Sequence, residues 1–174
     1  MTEFLWKNLF KKEKNADSIQ AKLKANVLFQ DLNFSELSFV EKIVHLRNYH
    51  TGEIIFRQSE VGVGMYIISK GSVNIYVEEV EPKTGEIKSN HVTQLKEGDF
   101  FGDLALVEDN GRRSASAIAN EDCVLIGFFK PDLMEVANRN PSAGVKILLR
   151  LGEVLGARLV ETTAKISELK KAAK

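Results

Sequence analysis

The residues best able to do chemistry in this sequence lie in one stretch, 98–119, which reads GDFFGDLALVEDNGRRSASAIA. Gly102 lets the backbone approach a ligand closely. A short helical stretch is expected to begin there. The free N–H groups of Asp103, Leu104 and Ala105 at its start would face an anion. Arg113 follows a short loop and can return over the same spot, offering paired charge-assisted hydrogen bonds to a phosphate, with Arg112 as its neighbouring candidate. An ionised Asp103 only accepts hydrogen bonds, so it suits a sugar hydroxyl and repels a phosphate. With Leu104 and Leu106 as an apolar wall, these groups describe a ribose-phosphate pocket. The competing reading is plainer: the arginine forms a surface ion pair with Glu108 or Asp109, and Phe100, Phe101, Leu104 and Leu106 are core alone.

Turns and short strands surround this stretch. Asp17 or Ser18 is placed to cap a helix through Ala25, and Ser35 with Glu36 opens another expected to run to about Asn48, its apolar positions Phe34, Leu37, Val40, Ile43, Val44 and Leu46 following a helical period. From Thr51-Gly52 the pattern changes. Ile54, Ile55 and Phe56 form one short strand; the apolar run from Met65 ends at Lys70-Gly71; Val73, Ile75 and Val77 alternate with mostly polar neighbours. A hairpin loop at Pro82-Lys83-Thr84-Gly85 leads to a strand over 87–95, and further strands are expected over 114–119 and 124–129. Pro131-Asp132 and Asn140-Pro141 start the last two helices, the second running close to Lys174. The fold class is α+β: an antiparallel β-roll, expected as a jelly-roll-like barrel, with N-terminal helices, a short phosphate-binding helix and a long C-terminal helix. One domain, 1–174, is expected: helices over 1–50, the roll over 51–130 and helices over 131–174.

Composition narrows the function further. The chain has 174 residues, 24 basic and 24 acidic, for zero net charge, so it exerts no overall pull on nucleic acid or anionic lipid. No apolar stretch approaches the ~20 residues that cross a bilayer. Phe4, Leu5, Trp6, Leu9 and Phe10 make a broad apolar helical face, either packed on the domain's own surface or docking a partner or membrane surface. The single Cys123 sits in an apolar run and reads as core. It fits a reducing compartment, and a cytoplasmic location is expected. His45, His50 and His91 lack metal-ligand spacing, and no nucleophile–base or paired-carboxylate arrangement stands out. No enzyme activity, metal or cofactor is expected.

The order Phe101-Gly102-Asp103-Leu104-Ala105-Leu106, a loop, then Arg113-Ser114-Ala115 resembles the phosphate-binding cassette of the cyclic-nucleotide-binding domain family. Gly52-Glu53 with Ile55, and Met65-Tyr66-Ile67-Ile68 followed by Gly71, Val73 and Ile75, resemble that family's early strands. The resemblance implies that Arg113 pairs with a cyclic phosphate, assisted by Ser114 and the N–H groups near Gly102, Asp103, Leu104 and Ala105; the Arg-Ser-Ala spacing favours Arg113 over Arg112. It also implies that Asp103 takes the ribose 2′-hydroxyl in place of a glutamate one methylene longer. Ser59 stands where the family usually has glycine.

The final helix carries a heptad seam, with Val145, Gly152, Leu159 and Ile166 at one core position and Leu148, Leu155, Thr162 and Leu169 at the other. A parallel homodimer is the expectation, with packing on the chain's own roll as the alternative. Arg158, Leu159, Thr162 and Thr163 are similar to a segment of the cyclic-AMP receptors in this family, which implies that Thr162 and Thr163 meet the adenine; Ser114 could equally favour guanine. The implied function is a stand-alone sensor of cyclic AMP, possible also for cyclic GMP, that signals to an effector protein through its last helix and carries no DNA-binding domain. A ligand-free assembly module that keeps the fold is the alternative.

Overall fold

The computed structural model describes residues 18–172 apart from Lys83. The apolar N-terminal face at Phe4, Leu5, Trp6, Leu9 and Phe10 lies outside the described residues. Two short helices come first, α1 (Ile19–Ala25) and α2 (Phe34–Glu41). Ser18 caps α1, its hydroxyl accepting from the Ala21 N–H, and α2 opens on a reciprocal box between Asn33 and Glu36. Eight strands follow: β1 (His45–Tyr49), β2 (Ile54–Phe56), β3 (Gly64–Lys70), β4 (Ser72–Val80), β5 (Ile87–Lys96), β6 (Phe100–Phe101), β7 (Ser116–Ala119) and β8 (Cys123–Phe129). The chain ends in α3 (Lys130–Arg139) and α4 (Pro141–Ala172).

The strands form two antiparallel four-stranded sheets, β1-β8-β3-β6 and β2-β7-β4-β5. The expected antiparallel, jelly-roll-like β-roll is therefore present as two facing sheets, without closure into a barrel. β3 explains why its sequence reads as an unbroken apolar run. Its side chains alternate between faces. Met65 and Ile67 join the helices' core with Leu23, Phe29, Val40 and Ile147, whereas Tyr66 and Ile68 join an inter-sheet core with Val73, Ala117 and Leu125. Both faces are buried, so both need apolar residues.

One expected element is wrong. The helix expected to reach Asn48 stops at Glu41, and residues 45–49 are strand β1, paired from His45↔Gly127 to Tyr49↔Cys123. The edge of β8 supplies backbone partners that a local period cannot reveal.

Helix α4 buries Ala143, Gly144, Ile147 and Leu151 against the rest of the chain. A Cβ at Gly144 would stand 2.6 Å from the Ala137 Cα, so this glycine sets how closely α3 and α4 approach. The heptad positions Val145, Leu148, Leu159, Ile166 and Leu169 face solvent, so the outward stripe is apolar and uncovered in the single chain.

Candidate functional site

Between β6 and β7 the backbone makes a 3₁₀ turn at Asp103–Leu106, capped by Gly102 at φ +79°. That left-handed backbone favours glycine. The space does too: a Cβ there would come within 2.5 Å of the Arg113 Nη1. The Ala105 N–H already donates to the Gly102 carbonyl at 3.2 Å. Arg113 is pinned from the other side, its N–H donating to the Glu60 carbonyl and its carbonyl accepting from the Ser59 N–H, both at 2.8 Å. Ser59 takes a left-handed φ of +68° to do so.

The Arg113 guanidinium is buried, with 8% of the residue exposed. Its Nη1 donates to the Gly102 carbonyl at 3.1 Å and its Nη2 to the Gly64 carbonyl at 2.8 Å. The Phe56 ring lies 4.0 Å from the guanidinium carbon. Burial pushes its pKa down, partly opposed by Tyr66 and Glu60. Among the described residues it has no ion pair, and its Nε is buried without a hydrogen-bond partner. Asp109 pairs instead with Lys130. The surface-ion-pair reading of Arg113 is thereby excluded.

Asp103 is 2% exposed. One carboxylate oxygen, Oδ1, accepts from Arg158 Nη1 at 2.5 Å; the other, Oδ2, is buried and unpartnered. The Arg158 guanidinium also sits 5.0 Å above the Phe100 ring. A cavity of about 250 Å³ opens here, and Gly102, Asp103, Leu104, Ala105, Arg113 and Ser114 all line it. Ile75, Leu95 and Ala115 give it an apolar side, and Arg158 comes over it from α4. Arg112 and Glu108 lie at it as well.

Thr162 and Thr163 are not brought to the cavity. They stand one turn beyond Arg158, exposed, their hydroxyls donating to the Arg158 and Leu159 carbonyls at 2.7 and 2.8 Å. Two residues were missed from sequence. Arg158 precedes Thr162 by four positions and so shares its helix face, a signal that was available. Phe56 read only as a strand residue, and nothing local marks it as the neighbour of a side chain 57 positions on.

The sequence profile of the cyclic nucleotide-binding domain matches residues 46–140, more than half of the chain. The chain belongs to that family. A cyclic AMP receptor protein from Thermus thermophilus is 29% identical over 147 residues, spanning 84% of this chain and 63% of the relative. A cAMP-activated global transcriptional regulator from Salmonella typhimurium is 30% identical over 72% of this chain and 55% of its own length. The crystal structure of the Thermus thermophilus catabolite activator protein superposes with a TM-score of 0.72 at 28% identity, covering 83% of this chain and 63% of that one. The chain thus spans less than two thirds of the length of each of these relatives. The family is regulatory, and the two-sheet roll with a long C-terminal helix is its fold. Among the described residues no helix is long and apolar enough to cross a membrane, and no cluster of side chains could hold a metal ion.

Proposed function

We propose that this chain is a cytoplasmic receptor for a cyclic nucleoside monophosphate, cyclic AMP foremost and cyclic GMP its competitor, without catalytic activity of its own. One observation carries the reading. Two buried atoms of opposite type, the donor Arg113 Nε and the acceptor Asp103 Oδ2, are left unpartnered by residues that line a single cavity. Buried polar groups are rarely left so. A ribose cyclic phosphate supplies the acceptor and the hydroxyl donor together. The phosphate sits on Arg113, with the N–H groups of the Gly102 turn and the Ser114 hydroxyl completing its shell. Asp103 accepts from the ribose hydroxyl on Oδ2 while Oδ1 keeps Arg158.

The base then lies along Ile75, Leu95 and Ala115, with Thr162 and Thr163 closing on its edge as α4 settles over the ligand. A second copy packs on the outward stripe of α4, giving a parallel dimer, and an effector protein reads the altered helix. Unequal affinity for the settled and open arrangements drives that switch. The reading calls for no cofactor beyond the nucleotide.

Isothermal titration with cyclic AMP and, separately, cyclic GMP tests it on the wild type and Arg113→Ala. Binding that the variant loses is expected. If neither nucleotide registers at ~1 mM, where about −4 kcal/mol is visible, the receptor reading falls and the ligand-free assembly module replaces it.

A further inference from the structure

We infer that Phe56 is a positioning residue for the anion site, an aromatic shelf that holds the Arg113 guanidinium in the orientation that leaves its buried Nε unpartnered. The inference rests on the receptor reading above for its consequence in binding, and on geometry alone for the shelf itself.

Arg113 is a buried cation without an ion pair among the described residues. Two of its three nitrogens are spent on backbone carbonyls, Nη1 on Gly102 and Nη2 on Gly64. Two carbonyls alone would leave one face of the guanidinium against bare hydrocarbon. The ring of Phe56 covers it at 4.0 Å, and a ring face attracts a cation through its quadrupole, more strongly when both are desolvated. The shelf is itself braced. Phe56 lies 5.7 Å from Phe101 and 6.4 Å from Tyr66, and those two rings are 5.7 Å apart. Phe101 immediately precedes Gly102, so the brace ends at the turn that carries the other half of the site.

The guanidinium has little freedom to compensate if the shelf goes. A Cβ added at Gly62 would stand 3.3 Å from its carbon, and one at Gly102 2.5 Å from its Nη1. The group lies in a slot between two glycines, and Phe56 closes one side. With the planar group held this way, Nε is the corner left for a phosphate oxygen. A lysine would not profit from the shelf in the same manner, being a compact charge without a plane to stack.

The test uses the full chain. Isothermal titration with cyclic AMP is run on wild type, Phe56→Leu, Phe56→Met and Phe56→Tyr, each also in an Arg113→Lys background. The Leu and Met variants are expected to bind on the order of tenfold more weakly, with Tyr, which keeps the ring face, restoring the wild-type value. In the Arg113→Lys background the same Phe56 changes are expected to alter affinity less than about twofold. A general packing role would instead weaken both backgrounds alike, and that result overturns the inference. So does unchanged affinity in a folded Phe56→Leu or Phe56→Met. A second readout needs no ligand: the Arg113 Nε–H proton resonance should show a ring-current displacement in wild type and Phe56→Tyr that vanishes in Phe56→Leu. Failure of the wild type to bind either nucleotide overturns the receptor reading, whereas a resonance indifferent to Phe56 overturns the shelf.

Discussion

Replacing Arg158 by glutamine should destabilise the fold more than replacing its partner Asp103 by asparagine. The asymmetry follows from burial. The Asp103 side chain is 2% exposed and that of Arg158 48%. Arg158→Gln leaves a carboxylate in the interior, already unpartnered on Oδ2, without its counter-ion on Oδ1. A fully buried pair broken in this way loses about 3–5 kcal/mol; with Arg158 half in water, about 2 kcal/mol is expected. For a chain of this length that is a fall in Tm of about 4–8 °C. Asp103→Asn leaves no buried charge, its amide oxygen still accepts, and Arg158 turns to solvent, so a loss of about 1 kcal/mol or less is expected. The double variant should lose less than the sum, with a coupling of about 1–2 kcal/mol. Urea unfolding of the four proteins measures it. A coupling below about 0.3 kcal/mol, the usual error of additivity, would refute the claim that this pair ties α4 to the cassette.

Four further substitutions probe the scaffold. Burial pushes the Glu36 carboxyl up, but hydrogen bonds from Lys146, the Asn33 N–H and Ser142 more than offset this and hold it below the usual range. Its contribution is therefore present above the unfolded carboxylate value and lost as pH falls through the folded one. Glu36→Gln should unfold about 1–3 kcal/mol more easily at pH 7 and converge with wild type below about pH 4 in a pH series of urea melts. Ser59→Gly relieves a left-handed φ of +68° and should raise stability by about 1 kcal/mol in thermal unfolding. The glycines of α4 should respond oppositely. Gly152→Ala fills open space and gains about 0.5–1 kcal/mol, whereas Gly144→Ala drives a Cβ to 2.6 Å from the Ala137 Cα and lowers the melting temperature.

What could be read from sequence had a local signature, and what could not was decided at a distance. The two-residue alternation of β4 and the double-sided burial of β3 are written in their own residues. The Gly102 turn and Arg113 lie eleven positions apart and announce each other. Strand β1 has no such signature: His-Leu-Arg-Asn-Tyr has one aliphatic residue, Leu46 is half exposed, and its ladder partner begins 82 residues along at Gly127. The choice between a closed barrel and two sheets rests on which edges stay unpaired, which no single strand encodes. The heptad seam of α4 is legible in sequence, and its Leu159, Ile166 and Leu169 face solvent, while Ala143, Ile147 and Leu151, outside the seam, meet the core. Periodicity finds a stripe; it does not say which surface the stripe meets. Arg158, Asp103, Phe56 and Arg113 meet across 55 and 57 positions, and only the fold brings them together.

The two halves of α4 are held by different means, and that difference directs how the cassette and the helix communicate. Up to Leu151 the helix is fixed to the N-terminal helices by buried apolar residues and by two ion pairs, Arg150 to Asp31 at 2.6 Å and Lys146 to Glu36 at 2.8 Å. Val154 and Leu155 pack at the margin of that core. From Gly156 on, every described residue of the helix is exposed. Arg158 is the exception in function if not in burial: it reaches Asp103 with one nitrogen and lies over Phe100 with its face. Both of those residues lie within two positions of Gly102, at the turn that also holds Arg113. Among the described residues, a shift of the turn therefore acts on the far half of α4 through the Arg158 guanidinium, while the near half stays anchored. Gly152 and Gly156, with open space at both Cβ positions, sit between the anchored part and that contact. Glycine weakens a helix by about 1 kcal/mol relative to alanine, so the least costly place for α4 to change direction lies where the two regimes meet.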